Sequence, residues 1–241
     1  MIKNDNLPYY SIGGISRTYQ WERGEENKYQ KLQKKYGKNW YYYNSVDDPI
    51  IVETNEFGYR SRTIYPCNEY YLMLGCSVTF GQYLHLRDLA ASILEKELGV
   101  PIINLGIPGG SANAMSANVQ KLMMSGYPKP KAIFAQWPVL QRYGIFGRSK
   151  YFYVNAQKEK FIFKKLIVER EIFETVGKNA FFYINSLNIP VINYSLFQDN
   201  NYKFYDIPYI DKFDQARDDC HPGPLTNRKI TDYILSKMKT V

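Results

Sequence analysis

The sequence predicts an α/β protein: a three-layer α/β/α sandwich with a central parallel sheet, preceded by an N-terminal extension. Two observations predict it. From about residue 50 onward, short apolar runs alternate with stretches of helical periodicity, the pattern of strands joined by crossover helices. At 241 residues, with 45% hydrophobic and 22% charged side chains, the chain can bury one full core with a small appendage.

Residues 1–50 differ from the rest. Trp21–Tyr43 is charged and aromatic, and its few apolar positions hold no clean helical period. This segment is expected to pack on the main domain or on a partner. The basic run Lys31–Lys38 reads as a solvated helix face, or as a contact for phosphate or an acidic glycan. Tyr70–Leu74, ending at Gly75, suits a buried strand. Asp88–Leu98 predicts a helix with Asp88 as N-cap and Gly99 at C′; Leu89, Ile93, Leu94 and Leu98 form its apolar stripe. Val100–Leu105 is a second strand, and Gly106–Gly110 follows it as a loop. Ser111–Ser125 is compatible with a helix, and Lys131–Trp137 is a third strand. Phe161–Leu187 holds one long helix or two shorter ones, Pro190–Leu196 is a fourth strand, and Thr226–Met238 is a final helix. In parallel sheets of this kind ligands sit beyond the carboxyl ends of the strands. Chemistry is therefore expected in the loops after Leu74, Leu105 and Trp137.

Composition excludes several classes. The 31 Lys+Arg against 23 Asp+Glu give a net charge of +8, which rules out an acidic disordered tail and permits an anionic partner. No recognised nucleic-acid motif accompanies that charge, which argues against a nucleic-acid role. Two histidines exclude a His-rich metal site, and the spacing of Cys67, Cys76 and Cys220 matches no zinc or disulfide framework. No stretch approaches the length and apolarity of a membrane span, and Met1–Tyr10 holds no apolar signal region. The expected location is the cytoplasm; phage and virus proteins lack such signals too, so a virion component stays open.

Chemistry concentrates at two places. Gly75-Cys76-Ser77-Val78-Thr79-Phe80-Gly81 follows the first strand, and a serine flanked by glycines at a strand-to-helix turn either presents its hydroxyl at the sheet's mouth or serves as a helix cap. Asp218-Asp219-Cys220-His221-Pro222 precedes the last helix and offers an imidazole with a carboxylate three residues upstream. A nucleophilic serine needs such a base, and the base needs an orienting group on its other nitrogen. Cys76 and Cys220, neighbours of these residues in sequence, read as packing or as a redox clamp. Trp137 and Tyr143 either stack on a sugar ring or close the core. His85 has no partner motif and reads as structural.

Together these residues resemble the SGNH (GDSL-type) hydrolases over about residues 51–241. Glu53–Arg62 is similar to the N-x-x-G-[FY]-R segment before the nucleophile strand, GCSVTFG to the Gly-Asp-Ser block, Asn104–Gly110 to the second block, and Asp218–Pro222 to Asp-x-x-His-Pro. The resemblance implies a flavodoxin-like sandwich with Ser77 as nucleophile, His221 as base and Asp218 as orienter. The amides of Ser77 and Gly109, with Gly106 as second choice for the latter, would receive the oxyanion. It implies a carboxylic-ester hydrolase acting on an acylated small molecule or carbohydrate, without metal or organic cofactor. An acyltransferase and a non-catalytic binding or structural protein of the same fold are the alternatives. Two departures stand out. Cys76 replaces the Asp before the nucleophile. The Gly-x-Asn-Asp block is absent: either Gln136, Gln141 or Asn113 substitutes for its side-chain donor, or the hole runs on the Ser77 and Gly109 amides alone, or catalysis is weak; Gln136, Trp137 and Asn113 are the candidate substrate contacts.

Overall fold

The structure is a computed structural model. It describes residues 17–19, 23–40, 50–55, 57–62, 67–140, 142–146, 151–155, 170–197 and 206–239. Near its start Arg17–Tyr19 (β1) pairs antiparallel with Ile50–Val52 (β2), and the helix Arg23–Tyr36 (α1) lies between them in sequence. The apolar runs then become the expected strands: Tyr71–Gly75 (β3), Ile102–Gly106 (β4), Ile133–Trp137 (β5) and, after an antiparallel hairpin of Arg142–Phe146 (β6) and Tyr151–Asn155 (β7), Val191–Ser195 (β8). The central sheet is parallel with order β4-β3-β5-β8. Its register sets Gly75 beside Gly106 and Trp137 beside Ser195, so the carboxyl ends share one edge.

Helices alternate with these strands. They are Ser77–Phe80 (α2), Ala90–Leu98 (α3), Ala112–Met124 (α4), Arg170–Asn185 (α5) and Pro224–Met238 (α6). Alternation along each strand sends side chains to opposite faces. Leu72, Leu74, Ile103, Leu105, Ile133 and Ala135 pack with Met115 and Val119 of α4 and Ala180 and Ile184 of α5. Met73, Ile102, Phe134 and Ile192 pack with Leu94 of α3 and Ile230 and Ile234 of α6 on the other face. The molecule is therefore a three-layer α/β/α sandwich.

Several boundaries differ from the expectation. Asp88 is not the cap of α3: it ends a 3-10 turn, Leu89 holds the N-cap position, and the Ala90 N–H donates to Asn227 Oδ1 at 3.1 Å. A side chain from a distant helix does the capping, which no local pattern reveals. Gly99 does close that helix in the left-handed conformation, with φ of 65°. A helix forms across most of the supposedly aperiodic N-terminal stretch because Tyr29, Leu32 and Trp40 reach a core. They pack with Ile50, Val52, Phe80, Leu84, Leu89 and Ala216, and burial of one stripe carries most of a short helix's stability. The β6–β7 hairpin was not read from the sequence, and residues 161–169 of the anticipated third helical stretch lie outside the described residues. Among the described residues no helix is long and apolar enough to cross a membrane.

Candidate active site

Strand β3 ends at Gly75 and the chain turns at once into α2, whose first residue is Ser77. Gly75 is required by close approach: a Cβ there would lie 2.0 Å from Thr79 Oγ1 and 2.7 Å from Gln136 Oε1. Gly106, at the matching end of β4, is required for the same reason, since its Cβ would lie 2.4 Å from the backbone nitrogen of Phe80. Strand ends without side chains thus let the short helix settle on the sheet edge. Ser77 lies low, with 7% of its surface exposed. As the first residue of a helix, its N–H has no acceptor within that helix.

The second part of the site arrives from the C-terminal end of the chain. After β8, an isolated bridge between Ser195 and Tyr209 returns the chain to the sheet. Residues 214–223 then form a closed loop: Ala216 N–H donates to His221 O at 2.8 Å, and Gly223 N–H to Asp214 O at 3.0 Å. The Asp214 carboxylate accepts from Thr226 N–H at 2.8 Å and Leu225 N–H at 2.9 Å, tying the loop to the first turn of α6.

This loop carries His221 to Ser77, 144 residues away in sequence. The Ser77 hydroxyl donates to His221 Nε2 at 2.9 Å, and His221 Nδ1–H donates to Asp218 Oδ2 at 2.5 Å. The Asp218 Oδ1 accepts the N–H groups of Cys220 and His221 at 3.1 and 3.0 Å. Burial pushes the Asp218 carboxyl up, but the hydrogen bonds and charge of His221 with these two amides outweigh it and hold it below its ordinary value. The structure brings together the three residues singled out as nucleophile, base and orienter. With Asp218 on Nδ1, the imidazole offers Nε2 as acceptor, the tautomer needed to take a serine proton.

The other expected site residues fall elsewhere. Gln136 has no exposed surface. Its Oε1 accepts from Cys76 N–H, Cys76 Sγ and Thr79 Oγ1, each at 3.2 Å, and its Nε2 donates to Trp137 O at 2.9 Å. It has no surface from which to meet a substrate, and it holds the Ser77 turn from below. Trp137 is also fully buried, its indole donating to Asn193 Oδ1 at 2.9 Å and its ring 5.3 Å from that of Phe181, so it closes the core rather than stacking on a sugar. Asn113 is half-buried in the first turn of α4 and its Oδ1 accepts from Ser111 Oγ at 2.6 Å. Gln141 and the side chain of Tyr143 lie outside what is described. Gly109 is half-exposed with φ of 73°, in a loop held to β3 by Ile107 N–H donating to Gly75 O at 3.1 Å. The Gly106 N–H is already taken by Asn104 Oδ1 at 2.9 Å. Cys76 is buried and Cys220 exposed, and both are free thiols, so no clamp joins them. Asp218, Cys220 and His221 bring donor atoms within 4.8 Å of one another, but Asp218 and both ring nitrogens of His221 already serve the chain to Ser77.

Four side chains were missed. Arg60 is 2% exposed, and its guanidinium donates to the carbonyls of Gly81, Leu84 (2.7 Å) and Ile51 (3.2 Å), fixing the chain just past α2. Asn55 organises that segment by accepting the Phe57 and Tyr59 N–H groups. The signal was the N-x-x-G-[FY]-R match itself, whose physical role is this clamp. Asn104 Nδ2 donates to Thr79 O at 2.7 Å, holding α2 from the side. Tyr83, in a left-handed conformation with φ of 61°, stacks on His221 with ring centroids 6.0 Å apart. A cavity bounded by Glu53, Arg60, Arg62, Glu95 and Asn104 includes neither Ser77 nor His221. Of its charged groups, Arg62 pairs with Glu95 at 2.7 Å and Arg60 is held by backbone carbonyls.

No family model matches this sequence, and no curated protein does. Among solved structures, it is similar to a lipolytic protein of the G-D-S-L family from Veillonella parvula, at 15% identity and TM-score 0.40, over 72% of this chain and 100% of that one. A carbohydrate acetylesterase family member from Sinorhizobium meliloti is similar at 12% identity and TM-score 0.44, over 71% of this chain and 98% of that one. An acetylxylan esterase from Geobacillus stearothermophilus is similar at 12% identity and TM-score 0.43, over 72% and 95%.

Proposed function

We propose that this protein is a serine esterase that hydrolyses a carboxylic ester, with a short acyl group such as acetyl on a carbohydrate as its substrate class. The observation that carries the reading is the unbroken chain from Ser77 Oγ through both nitrogens of His221 to Asp218, at 2.9 and 2.5 Å. The low exposure of Ser77 favours a small acyl group, and the names of the acetylesterase and acetylxylan esterase among the similar structures agree with a carbohydrate.

In this mechanism His221 takes the Ser77 proton as Oγ attacks the ester carbonyl carbon. Negative charge develops on the carbonyl oxygen, and the amides of Ser77 and Gly109 receive it. Collapse breaks the bond to the alcohol, which leaves with the proton from His221. A water molecule then loses a proton to His221 and attacks the acyl-enzyme, releasing the carboxylic acid and restoring Ser77. Gln136, committed to the core, does not supply a third, side-chain donor; where no other side chain takes that place, the loss costs roughly 2.7–4 kcal/mol of transition-state stabilisation and slows turnover.

Wild-type protein should hydrolyse p-nitrophenyl acetate and label with a fluorophosphonate probe. Ser77→Ala should abolish labelling and lower turnover by at least ~10³-fold. Undiminished turnover in that variant, or no labelling of the wild type, overturns the reading and leaves a non-catalytic role for the fold.

A further inference from the structure

Helix α1 lies in the stretch that the sequence separates from the hydrolase-like part, yet it meets both halves of the site. Tyr29, Leu32 and Trp40 share one apolar cluster with Phe80, the last residue of α2, and with Ala216, two residues before Asp218. Tyr83, whose ring stacks on His221, packs against the same cluster.

The last turn of α1 also reaches the His221 loop through polar contacts. Lys35 Nζ donates to both carboxylate oxygens of Asp219, at 3.1 and 3.0 Å, and the Tyr36 hydroxyl donates to Oδ1. Asp218 and Asp219 are neighbours whose carboxylates serve different partners: one holds the imidazole, the other is held by α1. Asp219 stands in the left-handed region with φ of 58°, a conformation that a side chain other than glycine keeps only where its surroundings determine it. Asp219 stands between Asp218 and His221 in a turn that Ala216 and the Asp218 carboxylate also tie. On the far side of the turn, Lys212 Nζ donates to Cys220 O at 2.6 Å.

We infer that Lys35 and Tyr36 are positioning residues of the active site, which act through Asp219 to hold the Asp218–His221 turn in the conformation that keeps the imidazole on Ser77. This rests on the esterase reading above. The Lys35 side chain is 56% exposed, so the ion pair itself adds little to global stability. Its loss should therefore appear in the chemical step and not in unfolding.

The test compares wild type, Asp219→Ala, the double variant Lys35→Met/Tyr36→Phe, and the triple variant. Turnover of p-nitrophenyl acetate, the rate of fluorophosphonate labelling and thermal unfolding are measured for each. Asp219→Ala and the double variant should each lower kcat and labelling rate about tenfold, with KM and Tm little changed, inside the ~10²-fold that an ångström of misplacement costs. The triple variant should lose no more than Asp219→Ala alone, because one contact is removed in both. Lys35→Arg should keep most of the activity. Rates within twofold of wild type, losses that multiply in the triple variant, or losses that merely follow Tm overturn the inference. If Asp219→Ala does not fold, Asp219→Asn takes its place. Turnover surviving in Ser77→Ala would instead overturn the esterase reading itself.

Discussion

Gln136 shows how one side chain can stand where a donor is sought and do other work. Its amide satisfies the Cys76 N–H, the Cys76 thiol and the Thr79 hydroxyl in a fully buried place. Gln136→Leu would take the acceptor from the buried Cys76 N–H, at about 1–3 kcal/mol for a buried group, while the Trp137 carbonyl keeps the Ser195 hydroxyl. We expect a loss of at least ~2 kcal/mol by urea unfolding, with a fall in kcat as the nucleophile turn loosens. Sequence placed Gln136 on a strand but not its face, because a continuous apolar run carries no alternation to read. Asp218 has a pH consequence. Its folded carboxyl lies below its ordinary value, so the stability it contributes is fully present above the unfolded value of roughly 3.9 and is lost as pH falls through the lower folded value. The stability gap between wild type and Asp218→Asn should narrow as pH falls below about 4. A gap that widens there would contradict this sign.

At the scale of elements, α2 is a four-residue helix that owes its place to its neighbours. Gly106 lies against its backbone, Asn104 binds the Thr79 carbonyl, and Arg60 gathers the carbonyls just beyond its end. Gly106→Ala would drive a methyl group into the Phe80 nitrogen, and the backbone there cannot rotate away as a side chain would. Overpacking of this kind typically costs ~1–3 kcal/mol. Thermal unfolding should record that loss, and the labelling rate of Ser77 should fall with it. The four central strands were legible because each is a short apolar run bounded by a turn residue. The cap of α3 was not, because Asn227 reaches Ala90 from 137 residues away. Helix α1 was not legible either: its buried positions are a tyrosine and a leucine among charges, and only the cluster they enter makes them a face.

For the whole molecule, the parallel sheet gathers every strand's carboxyl end on one edge and so decides where a site can form. Ser77 follows the first central strand directly, while His221 arrives on a loop near the chain's end. The sequence by itself determined the layered α/β architecture, the succession of its four central strands with helices α3 to α6, and the three residues proposed for chemistry. It could do so because periodic burial and short motifs are local properties of the chain. Only the tertiary structure decided that Gln136 and Trp137 face inward, that Arg60 clamps the segment beyond the nucleophile, and that Lys35 and Tyr36 grip Asp219. Those outcomes depend on which distant backbone groups come within hydrogen-bond reach, and that distance exists only once the layers have packed.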